Sequence, residues 1–177
     1  VRVLASPEDE PSAADRSAGL DLAISYAITP PNDFCSGATN LATVGSFPTS
    51  PVTIVDANIA ATDDVDSTCN TGSSSWGGLW YTYTATADGA FRISEGGAQD
   101  VVLAYAKNAS CDPALFDACT STDAGPLYVS LSTGDSVLVL VAATAVGTSR
   151  VDSLSTTFEW FSAVPANDTC ASATNLG

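Results

Sequence analysis

The chain has 177 residues, with 20 acidic and 5 basic side chains, no histidine and a formal net charge of −15. This length favours one domain with appendages, and the charge argues against binding to nucleic acid or to anionic membranes. Without histidine, Ser-His-Asp and Cys-His catalytic arrangements are excluded within the chain, and no apolar run reaches the roughly 18 residues of a membrane span.

Seven short segments that alternate in polarity or are rich in β-branched residues predict β-strands. In chain order they are residues 51–56, 79–84, 90–94, 100–106, 127–131, 136–142 and 156–164. Turn-forming residues separate them, and no long stretch keeps the apolar period of an amphipathic helix. The pattern predicts an all-β sandwich with jelly-roll or Greek-key-like connections. We also expect the fifth and sixth segments to form a hairpin around residues 133–135.

One stretch of twelve residues occurs twice in nearly identical form. The stretch PPNDFCSGATNL at 30–41 returns as PANDTCASATNL at 165–176, with eight of the twelve positions identical. Such a repeat predicts a segment of a tandem array. Residues 1–29 would be the last strands of a preceding repeat, or strands donated to a neighbour, 30–164 a complete sandwich, and 165–177 the start of the next repeat.

The cysteines fit the same division. The complete unit contains an even set, Cys35, Cys69, Cys111 and Cys119. The simplest pairing joins the first to the second and the third to the fourth. Cys170 is the counterpart of Cys35, which makes it a candidate for an inter-unit disulfide; an intermolecular bridge or a reactive thiol is the alternative.

Two N-glycosylation sequons accompany the cysteines, at Asn108 and Asn167. Together with cysteines scattered through a β-rich chain, they predict an oxidising, extracellular location, secreted or at the cell surface.

The motifs of the central unit resemble a known family. They include N-D-x-C at 32–35, L-W-Y-x-Y-x-A at 79–85, G-x-F-R-I-S at 89–94 and the spaced cysteines at 111 and 119. This is similar to the bacterial pre-peptidase C-terminal-like domains, β-sandwich repeats of large secreted proteins, over nearly all of residues 30–164. The resemblance implies a jelly-roll-like sandwich with a structural or accessory role and no catalysis of its own. At 120–123 this chain has Thr-Ser-Thr-Asp, where members often carry an Asn-Asp-Asp run.

Three carboxylates in one acidic segment, Asp63, Asp64 and Asp66, are candidate ligands for Ca²⁺, which binds six to eight oxygens. The alternative is a solvated acidic loop. Glu95 and Asp100 could form a glycosidase-like carboxylate pair, but the two glycines between them indicate a turn.

Four aromatic residues, Trp76, Trp80, Tyr81 and Tyr83, either form core or stack on sugar rings. Because side chains alternate along a strand, Trp80 must point opposite to Tyr81 and Tyr83. At least one of these faces is therefore expected to be core.

The main functional hypothesis is a structural repeat of a secreted fibre, surface appendage or adhesin. Disulfides and inter-unit strand pairing would stabilise it, and its partners would be copies of itself or neighbouring repeats. The alternative is an accessory module of a larger secreted enzyme that binds carbohydrate or protein. Neither hypothesis makes the chain an enzyme, and neither requires a cofactor beyond Ca²⁺.

Overall fold

The computed structural model describes residues 28–58, 60–62, 76–96, 101–111, 116–121, 125–143 and 153–162. For Trp76, Ser121 and Ala143 only the backbone is described. The predicted flanks at 1–29 and 165–177 lie almost wholly outside these ranges, so the division into successive repeats stays a prediction.

Nine β-strands build the described part of the chain. They are β1 (Thr39–Asn40), β2 (Val52–Asp56), β3 (Trp76–Thr84), β4 (Gly89–Glu95), β5 (Val101–Lys107), β6 (Ala118–Ser121), β7 (Leu127–Leu131), β8 (Ser136–Ala143) and β9 (Leu154–Phe161). Besides these strands, the described residues contain two short 3-10 turns, at Cys35–Gly37 and Leu41–Thr43, and no α-helix. The predicted all-β class is confirmed.

The strands form two sheets. Sheet A has five strands in the order β1-β3-β8-β5-β6, and sheet B has four in the order β2-β9-β4-β7. Neighbours in each sheet are antiparallel except β1, which pairs in parallel with β3. The order crosses between sheets repeatedly, so the molecule is a Greek-key-like β-sandwich, as predicted.

All seven predicted strands exist, with ends shifted by at most three residues. Two strands were missed. β1 has two residues, Thr39 and Asn40, too few to show any alternation, and β6 includes Cys119 and Thr120, whose neighbours mark a turn rather than a strand.

The predicted hairpin between β7 and β8 is wrong. β7 pairs with β4 in sheet B, whereas β8 pairs with β3 and β5 in sheet A. Residues 132–135 therefore carry the chain from one sheet to the other. Backbone bonds hold this crossing to the end of β3: Ala85 N donates to Asp135 O, and Gly134 N donates to Ala85 O, each at 2.8 Å. Gly134 has φ +89°, which glycine adopts without steric cost.

The main core lies between the sheets. Aromatic rings fill its centre, with Tyr83 packed edge-on against Phe47 at 4.9 Å and stacked on Phe91 at 5.9 Å between centroids. Phe158 and Trp160 of β9 close the layer from sheet B. Rings of this size bury 150–250 Å² each, so they dominate the hydrophobic stabilisation of the sandwich.

A second apolar cluster lies on the outer side of sheet A, built by Trp80, Ala104, Leu138, Leu140 and Ala142. Cys35, Ala38 and Phe116 pack over it, and the Phe116 ring stacks on Trp80 with centroids 6.0 Å apart. We call this surface the covered face. Because both sides of sheet A are covered, β5 and β8 are continuous apolar runs rather than alternating ones.

Candidate functional site

The aromatic segment of β3 is core. Trp80, Tyr81 and Tyr83 are almost fully buried, and Trp80 faces the covered side while the two tyrosines face the main core. The Tyr81 hydroxyl donates to Asp56 at 2.8 Å. Burial, and then the Asp56 carboxylate, raise the pKa of Tyr81 far above its usual value. The core prediction is confirmed for these three residues, and they cannot form a sugar platform.

The N-D-x-C motif has a structural role. Asn32 Nδ2 donates to Trp80 O at 3.3 Å, and Trp80 N donates to Asn32 O at 2.9 Å. The buried Asp33 carboxylate accepts from Thr62 N at 2.6 Å and from Thr62 Oγ1 at 3.0 Å. The motif thus bonds its own segment to β3 through Asn32 and to Thr62 through Asp33. These bonds occupy the Asp33 carboxylate.

The predicted disulfide pairing is wrong. Cys35 is bonded to Cys111 rather than to Cys69, across a separation of 76 residues, and Cys119 is bonded to a cysteine outside the described residues. The pairing follows from the path of the 30–38 segment, which crosses the covered face beside the end of β5. A disulfide within the fold indicates a non-cytoplasmic protein.

Several predicted site residues lie outside the described part of the chain: Asp63, Asp64, Asp66, Cys69, Asp100, Asn167 and Cys170. The calcium site, the inter-unit disulfide and the second sequon stay predictions. In the described ranges, His, Cys, Asp and Glu side chains do not gather into groups of three that could hold a metal.

Asn108 has a structural role in its turn. It adopts φ +52°, its amide nitrogen donates to Asp135 Oδ1 at 2.9 Å, and its amide oxygen accepts from Ser136 N at 2.8 Å. Both ends of the side chain are engaged although the residue is exposed. Glycosylation at Asn108 stays a prediction.

The outer side of sheet B is the candidate site, and we call it the open face. It consists of the side chains of β2, β4, β7 and β9 that point away from the core. They are Thr53, Val55, Ala90, Arg92, Ser94, Tyr128, Ser130, Ser155, Thr157, Glu159 and Phe161. Every other residue of these strands points inward, which sets the alternating pattern of sheet B.

Strand pairing arranges the open face in rows. Tyr128, Arg92 and Glu159 lie directly opposite one another across three strands. A second row holds hydroxyls: Ser94 faces Thr157, which faces Thr53, and the Thr53 and Thr157 hydroxyl oxygens are 2.8 Å apart. On the other side of the charged row, Phe161 faces Ala90, which faces Ser130.

An ion pair lies at the centre of this face. Arg92 Nη1 donates to Glu159 Oε2 at 2.9 Å, with side-chain exposures of 34% and 24%. The bond to Glu159 raises the pKa of the Arg92 guanidinium, which therefore stays protonated at neutral pH. Arg92 Nε is buried and makes no hydrogen bond, which leaves the Nη groups as the donors that a ligand can reach.

Two aromatic rings flank the ion pair. Tyr128 is 58% exposed and Phe161 is 40% exposed. From strand spacing and rise, their Cα atoms are about 12 Å apart. Gly89 permits this end of the sheet to close, because a Cβ there would collide with the Phe161 carbonyl and the Trp160 ring.

A cleft of about 240 Å³ lies beside the Cys35–Cys111 bridge. Its polar lining consists of serine and threonine hydroxyls over Val137 and Leu138, with no charged side chain. Its lining contains no aromatic ring and no charged side chain, whereas the open face has both, so we take the open face as the candidate site.

The open face was not identified from the sequence. Tyr128, Arg92 and Glu159 are far apart in the sequence, and no local residue pattern marks them as a group. The available signal was the alternation of β4, β7 and β9, which places polar residues on one side of each strand. Combining the three strands requires the sheet order.

No family model matches the chain, and no curated protein matches it. The described residues contain no helix that is long and apolar enough to cross a membrane.

Several solved structures are similar. PliG of Aeromonas hydrophila, a periplasmic inhibitor of g-type lysozyme, has 12% identity and a TM-score of 0.47, over 70% of this chain and 96% of that one. The CBM35 of Cellvibrio japonicus Abf62 has 20% identity and a TM-score of 0.27, over 58% and 92%. The Podospora anserina GH26-CBM35 β-(1,4)-mannanase has 17% identity and a TM-score of 0.32, over 66% and 29%. With TM-scores below 0.5, these likenesses carry no argument about this chain's site.

Proposed function

We propose that this chain is a non-catalytic, carbohydrate-binding accessory module of a larger secreted protein, and that it binds glycan on the open face. The observation that carries the proposal is the exposed Tyr128 ring beside the Arg92–Glu159 pair, in a surface otherwise rich in hydroxyls.

The chemistry of this surface matches a sugar. A pyranose ring has one face of C–H groups and a rim of hydroxyls. An aromatic ring face carries negative charge density that attracts C–H groups. Arg92 offers only donors, Glu159 only acceptors, and the serine and threonine hydroxyls offer both. A sugar can therefore stack on Tyr128 while its rim makes hydrogen bonds to the neighbouring rows.

A protein partner fits this surface less well. Stable protein interfaces have an apolar centre depleted of charge and a polar rim. On the open face the order is reversed, because the ion pair lies at the centre and the apolar side chains of Val55, Tyr128 and Phe161 lie around it. No continuous apolar patch forms there among the described residues.

The structural-fibre hypothesis depends on residues 1–29 and 165–177, which lie almost wholly outside the described residues. The chemistry of the open face favours the binding module. An extracellular location agrees with the Cys35–Cys111 disulfide.

Binding of the full chain to a panel of polysaccharides tests the proposal. We expect at least one polysaccharide to be retained, and Tyr128→Ala to weaken that binding at least tenfold. Phe34→Ala is the matched control, since Phe34 is also an exposed aromatic ring but lies in the segment over sheet A. It should bind as the parent does. Binding to none of the polysaccharides, or equal losses in both variants, contradicts the proposal.

A further inference from the structure

Among the described residues, the charges of the open face balance although the protein is strongly acidic. The whole chain carries a net charge of −15, yet the described residues of the open face include one cation, Arg92, and one anion, Glu159, joined at 2.9 Å. The described carboxylates next to its strands point elsewhere: Asp56 accepts from Tyr81 in the core, Asp88 accepts from Thr133 in the crossing between the sheets, and Glu95 follows the inward positions of β4. Charge is thus balanced at this surface and unbalanced in the molecule as a whole.

This balance disfavours an acidic ligand. A polyanion must approach a protein of the same sign, and like charges oppose association. Its carboxylate or sulfate would also have to compete with Glu159 for Arg92. If the acidic group displaced Glu159 from Arg92, Glu159 would lose its partner although its side chain is only 24% exposed. A neutral sugar meets neither obstacle.

The pair also presents a donor and an acceptor side by side. Arg92 uses Nη1 to bond Glu159 Oε2, and its guanidinium also interacts with the Tyr128 side chain, so a ligand at this point meets Arg92, Glu159 and Tyr128 together. A sugar hydroxyl both donates and accepts, as a serine hydroxyl does. Of two adjacent hydroxyls on one ring, one can accept from Arg92 while the next donates to Glu159. Hydrogen bonds to ionised groups are shorter and stronger than neutral ones.

Tyr128 determines where a sugar ring would lie relative to the ion pair. It lies directly opposite Arg92 on the neighbouring strand, so a sugar over Tyr128 has its edge next to the ion pair. The hydroxyl row of Ser94, Thr157 and Thr53 continues along the sheet from there. A chain of sugars can follow this row, whereas a single small molecule would leave most of it unused.

We infer that the open face binds a neutral polysaccharide whose units carry two adjacent free hydroxyls, and that the Arg92–Glu159 pair is the element that recognises these hydroxyls. This inference rests on the proposed function and adds the class of glycan and the residues that select it.

Binding to neutral and acidic polysaccharides at two salt concentrations tests the class. The neutral panel is cellulose, amylose and a β-1,4-mannan, whose 1,4-linked units all keep adjacent free hydroxyls, and the acidic panel is polygalacturonate and heparin. We expect binding within the neutral panel only, changing less than twofold between about 0.05 and 0.5 M NaCl, because a contact with a neutral ligand is hardly screened. Binding to the acidic panel alone, with a steep loss in salt, overturns the inference but leaves the proposed function intact. Binding to neither panel contradicts the proposed function itself.

Substitutions test the role of the ion pair. Glu159→Gln and Arg92→Met should each weaken binding to the neutral ligand at least tenfold, with unchanged circular dichroism. Glu159→Gln should in addition gain binding to polygalacturonate, since it frees the Arg92 charge. Asp117→Asn is the control, because it removes a carboxylate that accepts from Lys107 N beside β6 in sheet A and makes no described contact with the open face. Neutral-ligand binding that survives both open-face substitutions overturns the assignment of the pair.

Discussion

The two outer faces of the sandwich are both built from β-strands, but they differ in polarity and in whether other segments cover them. The covered face of sheet A presents Trp80, Leu138 and Leu140, and a disulfide-linked segment and Phe116 lie over it. The open face of sheet B presents hydroxyls and one ion pair, and no described segment crosses it. In this molecule, apolar residues on an outer face accompany a cover that stabilises the fold, whereas polar residues accompany a surface that no described segment covers.

The largest expected contrast is between two aromatic residues. Trp80→Ala removes a ring buried under the cover and should lower the free energy of unfolding by about 3–5 kcal/mol. Tyr128→Ala removes an exposed ring and should lower it by less than about 1 kcal/mol. Urea unfolding of both variants measures the difference. Similar losses would show that the two faces do not differ in their contribution to stability.

The disulfide over the covered face is the next test. Replacing both Cys35 and Cys111 with serine opens a loop of 76 residues, and the loss of loop-closure entropy should cost about 2–5 kcal/mol. Because the bridge lies on the opposite side from the open face, polysaccharide binding by the folded fraction should be unchanged. A large loss of affinity at a temperature where the variant is folded would contradict the separation of the two faces.

Asp33 fastens the covering segment from within. Asp33→Ala leaves the Thr62 donors without their acceptor and should cost about 1–3 kcal/mol in thermal or urea unfolding. Thr62→Val is the control, since it removes the hydroxyl bond and keeps the bond from the backbone nitrogen. It should cost less than Asp33→Ala; an equal or larger cost would show that the backbone bond contributes little.

The smallest effect is expected at the crossing between the sheets, which belongs to neither face. Lys107 first, then Asn108 and Ser132 N, lower the pKa of Asp135 well below its usual value. A carboxyl with a lower pKa in the folded state than in the unfolded state stabilises the fold above about pH 4 and loses this contribution as the pH falls.

Asp135→Asn should therefore be less stable than the parent at pH 7, and the difference should shrink towards pH 2. Urea unfolding at pH 7, 4 and 2.5 measures it. A difference that stays constant with pH would show that the charge of Asp135 does not contribute.

Much of the architecture could be predicted because local residue patterns determine it. The seven long strands, the all-β class and the burial of Tyr81 and Tyr83 follow from alternation and from β-branched and aromatic residues. The sequence also held a signal that distinguishes the sheets. β5 and β8 are continuous apolar runs, as expected of strands covered on both sides, while β4 and β7 alternate.

Pairing across long separations could not be predicted in this way. The turn at 132–135 has the residues of a hairpin, yet it connects two sheets, because β7 and β8 each find their partners 30 or more residues away in the chain. The same holds for Cys35 and Cys111, since four cysteines allow three pairings and spacing alone does not choose among them.

By itself, the sequence determined an all-β, histidine-free, strongly acidic chain with a repeated N-D-x-C motif. Only the tertiary structure decided that this motif fastens a cover over sheet A, and that Tyr128, Arg92 and Glu159 form one row on sheet B. The physical reason is that composition and alternation act within a strand, whereas a binding surface is made by the order of strands, which depends on the packing of the whole core.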